Sequence, residues 1–142
     1  PPRSTLFPYT TLFRSTAVPG SSAYFMGGII SYDNAIKERL LGVSADTLAK
    51  QGAVSAPVAE QMAHGVRTQL NTDWGVSITG IAGPGGGSPE KPVGLVYIGI
   101  ANDSGTHHME CHFGRRQGRD WIRLMSRNTA LDILRRALLG NI

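Results

Sequence analysis

The segment Thr79–Gly94, reading Thr-Gly-Ile-Ala-Gly-Pro-Gly-Gly-Gly-Ser-Pro-Glu-Lys-Pro-Val-Gly, constrains this chain more than any other stretch. It separates two apolar strand candidates, one starting at Trp74 and one running from Val93 to Ala101. Glycine leaves backbone N–H groups open to close approach, and consecutive N–H groups form an anion-binding concavity. The segment therefore reads as a loop that grips a phosphate or carboxylate. A solvated surface loop of the same composition is the plain alternative. A phosphate loop of the Gly-Lys-Ser/Thr type does not fit, because Lys91 is followed by Pro92 and a strand. A dinucleotide fingerprint fails for the same reason, since it needs a helix after the glycines. A strand on each side predicts an antiparallel return.

The first fifteen residues stand apart. Thr-Leu-Phe occurs at Thr5 and again at Thr11, too few copies to bury a core by stacking. There is no basic n-region ahead of an unbroken apolar run, so the string is no signal peptide. It resembles the in-frame translation of a short-read sequencing adapter. Residues 1–15 are therefore set aside as a non-native leader, and 16–142 is taken as one domain with one core. Arg3 and Arg14 of the leader supply part of the net charge of +4, and no block of five basic residues occurs. That gives no argument for nucleic acid. No apolar run approaches the roughly 20 residues of a membrane span. The single cysteine, Cys111, leaves no internal disulfide and suits a reducing cytoplasm.

Periodicity predicts a strand over Ala23–Tyr32 and short helices over Ala35–Leu41 and Ala45–Gln51. The first is capped by Asp33 or Asn34 and the second by Ser44, with Gly42 and Gly52 as stops. A third helix starts at Ser55 with Pro57 in its first turn, and Val58, Met62, Val66 and Leu70 form its core stripe. After the strands at Trp74 and Val93 comes a third over Thr106–Phe113. A long helix follows over Arg119–Leu139, with Leu124, Leu131, Leu134 and Leu138 expected to face inward. Helices on both sides of a mixed sheet make an α/β sandwich.

Three groups of side chains invite chemistry. His107, His108, Cys111 and His112 suggest a metal, but on a strand His107 and Cys111 lie about 13 Å apart at ~3.3 Å per residue. Zinc ligands sit ~2.0–2.3 Å from the ion, so no metal site is assigned. Arg119, Arg123 and Arg127 step by four along the last helix, either as a solvated stripe or with Arg119 forked onto a phosphate. Tyr32 and Lys37 flank a strand end and helix start, where α/β sheets place ligands. They read either as an acid and a base with shifted pKa or as a rim tyrosine and a solvated lysine.

Taken in order, Pro19–Phe25, Ser31–Lys37, Leu41–Val43, Gly52–Ser55, Thr79–Gly87 and Glu90–Gly94 resemble the C-terminal domain of the CinA competence/damage-inducible proteins. That family also occurs alone as the nicotinamide-nucleotide amidohydrolase PncC. The resemblance covers about Thr16 to Leu139. It implies a three-layer α/β/α sandwich on a mixed sheet, with no cofactor. The implied reaction is hydrolysis of the carboxamide of nicotinamide mononucleotide, a pyridine nucleotide, to the acid and ammonia. It places Tyr32 and Lys37 among the catalytic groups. It places Asn34, Thr79, Gly80, Ala82, Gly83, Gly85, Gly86 and Arg119 at the substrate, although Gly118-Arg119 is one residue shorter than the family element. The family's Glu-Ser-Cys-Thr-Gly-Gly segment, with its proposed hydroxyl nucleophile, has no counterpart here. The expectation is a domain without its first strand and helix, and a chain without amidase activity of its own. A non-catalytic nucleotide-binding or docking domain is the alternative, and a homo-oligomer is left open.

Overall fold

The computed structural model describes residues 16–140. The chain divides into two compact units, Pro1–Ile30 and Ser31–Ile142. In the first, Ser21–Ala23 form one 3-10 turn opened by Gly20 in the left-handed region. The amides of Tyr24 and Phe25 close it by donating to the Ser21 carbonyl. The strand expected over Ala23–Tyr32 is not formed as a ladder. A strand exists only where a neighbour supplies N–H and C=O groups in register, and no described segment does so here.

In the second unit, α1 (Asn34–Leu41) starts where the Asp33 carboxylate accepts from the Ala35 amide at 2.8 Å. It ends at Gly42, whose φ of 66° suits glycine. Helix α2 (Ala45–Gln51) is capped by Ser44, and α3 (Ala56–Leu70) carries Pro57 in its first turn. The Ser55 hydroxyl turns back to donate to the Gly52 carbonyl at 2.9 Å instead of capping α3. Val58 and Met62 of the expected stripe are buried, joined by Ala59, Ala63 and Gly65. Ala59 and Ala63 let α3 lie close on the sheet, and Gly65 lets it lie close on Leu41 at the end of α1. A β-carbon on Gly99 would stand 2.2 Å from the Ala59 carbonyl oxygen.

Strands β1 (Gly75–Gly80), β2 (Leu95–Asn102) and β3 (Gly105–His112) form one antiparallel sheet in the order β1-β2-β3. Ser77 stands opposite Gly99, and Gly99 opposite His108. These residues share the face covered by α3, where the Ser77 hydroxyl donates to Ala59 at 2.6 Å. The other face carries Val96, Ile98 and Ile100, packed on Ile122, Ala130 and Ile133 of α4 (Gly118–Leu138). Helices on both faces of the sheet make the three layers of an α/β fold. The described strands pair only antiparallel, so any parallel member of a mixed sheet lies outside them.

One sequence expectation is corrected on α4. Leu134 packs against the core, but Leu124, Leu131 and Leu138 are exposed. The inward stripe is Ile122, Ser126, Ala130 and Ile133, because the small side chains of Ser126 and Ala130 let the helix seat on the sheet.

Candidate functional site

Lys37 lies on the inward side of α1, one turn after the Asp33 cap, and is 6% exposed. Its ammonium donates to the carbonyls of Ser31 at 2.8 Å and Tyr32 at 3.1 Å. No carboxylate among the described residues pairs with it. Burial lowers its pKa below the ordinary lysine value, and the charge of Asp33 only partly opposes that shift. Tyr32 meets Lys37 through its backbone, while its ring is 89% exposed. Asn34 is exposed in the first turn of α1.

The glycine loop continues from the end of β1 and is held at three points. The Thr79 hydroxyl, buried on the α3 face, donates to the Ala53 carbonyl at 2.7 Å. Lys91 crosses back and donates to the carbonyls of Gln51 and of Val54, the latter at 2.8 Å. On the other side Arg119, in the first turn of α4, donates to the Gly83 carbonyl at 3.0 Å. Between these anchors the amides of Ala82, Gly83, Gly85, Gly86 and Gly87 donate to no acceptor among the described residues. Free amides in a fixed loop are what an anion site needs.

The glycines divide by purpose. A β-carbon on Gly80 would lie 2.6 Å from Val96 Cγ2, and one on Gly83, at φ 74°, would lie 2.6 Å from Val93 Cγ1. Both are dictated by packing. Gly85 has open space within 4 Å, so nothing in the protein requires glycine there.

No hydrogen bond or ion pair joins Lys37 or Tyr32 to the loop among the described residues, so the polar groups fall into two parts: the Lys37 corner, and the loop with Thr79 and Arg119. Lys91 was missed as a functional residue. Its neighbour Glu90 suggests an ion pair, but Glu90 accepts from Ser88 and Lys91 reaches forty residues back to Gln51. Two surface cavities, about 60 and 140 Å³, lie away from both parts.

The histidine cluster is split across the sheet. His108 pairs with Glu60 at 2.7 Å on the α3 face, and His112 with Glu110 at 2.7 Å. His107 lines the cavity on the α4 face, where Cys111 packs half-buried at the core with its thiol pKa raised by desolvation. No described helix is long and apolar enough to cross a membrane.

Residues 13–138 match the family model for the CinA C-terminal domain. A CinA-like protein of a Cyanothece strain is 68% identical over 124 residues, covering 87% of this chain and 30% of the relative. One from Synechococcus elongatus is 61% identical over 125 residues, covering 88% of this chain and 30% of the relative. The chain thus spans about 30% of the length of these curated relatives. Among solved structures, the competence/damage inducible protein CihA from Agrobacterium tumefaciens superposes with a TM-score of 0.79 at 46% identity, covering 82% of this chain and 71% of that one. A CinA superfamily protein from Escherichia coli superposes with a TM-score of 0.78 at 26% identity, covering 83% and 67%.

Proposed function

This chain belongs to the CinA C-terminal domain family, and from that premise we propose that it is the base-bearing and anion-binding part of an amidohydrolase acting on nicotinamide mononucleotide. The observation that carries the reading is Lys37. A neutral amine has two N–H groups and one lone pair, and two carbonyls already take two N–H groups. With its pKa lowered by burial, Lys37 keeps both bonds when it loses its third proton and is left with a lone pair free to accept one.

In this scheme a hydroxyl nucleophile of the kind in the family's Glu-Ser-Cys-Thr-Gly-Gly segment gives its proton to Lys37 as it attacks the carboxamide carbon. Lys37 returns that proton to the departing nitrogen, so ammonia leaves and an acyl-enzyme remains for water to open. The loop amides and Arg119 hold the phosphate or the oxyanion. Tyr32, which meets Lys37 through its carbonyl and carries its phenol at the exposed rim, is the group the family resemblance couples to Lys37.

The division of the site favours a second reading. Lys37 is occupied by two carbonyls, while of the two parts the loop is the one that offers open donors among the described residues, as expected of a domain that binds nucleotide without turning it over. The test is ammonia release from nicotinamide mononucleotide by a chain extended upstream to include a Glu-Ser-Cys-Thr-Gly-Gly segment. Turnover that disappears in Lys37→Met supports the enzyme; nucleotide binding without turnover supports the second reading.

A further inference from the structure

The glycine loop has a second charged neighbour. The Gly94 amide donates to the Ile81 carbonyl at 2.8 Å, which closes the base of the loop. A β-carbon on Gly94 would stand 2.7 Å from the backbone nitrogen of Gly114, so the chain leaving β3 passes directly against that base. Further along, Arg119 donates to the Gly83 carbonyl at 3.0 Å. The link Gly114-Arg115-Arg116-Gln117-Gly118 is thereby held beside the loop at both of its ends. Arg115 and Arg116 on it are exposed, as is Arg123, one turn after Arg119 on α4. None of these three side chains has a hydrogen bond or ion pair among the described residues. Between Phe113 and Leu124 the chain carries four arginines and one carboxylate, Asp120, which pairs with none of them.

We propose that Arg115, Arg116 and Arg123 form a second anion subsite beside the glycine loop, taking the outer phosphate of a ligand that carries two linked phosphates. The ligand is inorganic pyrophosphate or the diphosphate group of a nucleotide. Charge carries the argument. One phosphate on the open loop amides and Arg119 leaves three guanidinium groups unmatched, and their field adds to that of the amides. A guanidinium forks onto two phosphate oxygens, so it positions a phosphate as well as attracting it. Residues four apart on a helix lie about 5–6 Å apart at their β-carbons, which lets Arg119 and Arg123 take adjoining phosphates. Arg119 uses one N–H on Gly83 and keeps the rest of its fork. The subsite rests on the loop being an anion site, as the proposed function has it, and not on amide hydrolysis.

The test is calorimetric titration of the whole chain with inorganic phosphate, inorganic pyrophosphate and adenosine diphosphate, at one ionic strength because exposed charges are screened by salt. Pyrophosphate should bind roughly tenfold or more tighter than phosphate. The double variant Arg115→Ala/Arg116→Ala should lose that advantage while its phosphate affinity changes less than about threefold. Arg123→Ala reads the same subsite from α4, so the outcome does not depend on one variant folding. Arg127, one turn further on and bonded to Asn128, is the control, and Arg127→Ala should leave both affinities unchanged. Adenosine diphosphate binding tighter than pyrophosphate supports the subsite with a nucleotide as its source; the reverse order supports it with the free anion. Pyrophosphate binding no tighter than phosphate overturns the proposal. So does an equal loss of both anions in the double variant, or a loss in Arg127→Ala as large, which would mean general attraction to a basic surface. Neither anion binding overturns the loop and the subsite together. Ammonia release by the upstream-extended chain is read separately, and its absence beside tight pyrophosphate binding would remove the amidase reading alone.

Discussion

Gly83 and Gly85 lie two residues apart in one loop, yet alanine at the two positions should have opposite consequences. At Gly83 the backbone φ is 74°, which costs a non-glycine residue about 1–2 kcal/mol. The added β-carbon would also stand 2.6 Å from Val93 Cγ1, and such overpacking costs about 1–3 kcal/mol. Gly83→Ala should therefore lose about 2–5 kcal/mol, lowering Tm by roughly 8–20 °C for a domain of this size. At Gly85 φ is not positive and nothing lies within 4 Å, so Gly85→Ala should leave stability within about 0.5 kcal/mol. It should nevertheless weaken nucleotide binding roughly tenfold or more if the open amides around it approach a phosphate. Calorimetric titration with nicotinamide mononucleotide, alongside thermal melts of all three chains, separates the two effects. Affinity unchanged in Gly85→Ala would return the segment to a surface loop, and an unchanged melt in Gly83→Ala would refute the packing argument. A valine at Gly83 cannot test ligand approach, because its side chain meets Val93 first.

Lys37→Met, made in the upstream-extended chain, should lower turnover by ~10²–10⁴ while leaving far-ultraviolet circular dichroism intact; turnover within threefold of the parent would dismiss Lys37 as the base. The Lys37 pKa is lower folded than unfolded, so the unfolded chain binds more protons in the window between the folded value and 10.5. Stability should rise with pH through that window, and urea midpoints should show the rise missing from Lys37→Met. Tyr97, whose phenol pKa is raised by burial and Glu110, acts in the opposite sense, so the difference between the two chains is the quantity to read. Lys91→Met strips donors from the Gln51 and Val54 carbonyls and should cost about 1–2 kcal/mol in urea denaturation, with faster exchange of the hydrogen-bonded amides of Ile81, Ser88 and Gly94. No loss would mean that Lys91 does not fasten the loop.

Much of this was legible in order along the chain. Glycines at 42 and 52, the caps at Asp33 and Ser44, and short apolar runs on either side of the glycine segment placed the helices and the antiparallel return from local rules alone. Local rules suffice there because a cap, a glycine stop or a short apolar run bounded by turn residues involves only neighbouring backbone. Tyr32, Lys37 and the loop were likewise visible as motifs, and family membership now rests on the match over residues 13–138.

What stayed hidden was every feature that depends on a distant partner. The apolar run Ala23–Tyr32 looked like a strand, but a ladder needs a neighbour and the described chain provides none. Four leucines looked like one core stripe on the last helix, until the seating of Ser126 and Ala130 on the sheet turned three of them outward. Lys37 could be read as a solvated lysine; packing alone buries it against two carbonyls and lowers its pKa. Sequence determined the elements and the residue types at the site, because those follow from short-range geometry. Tertiary structure decided which faces are inside, which charges lose water and which amides stay open, because burial is set by contacts between residues far apart in the chain.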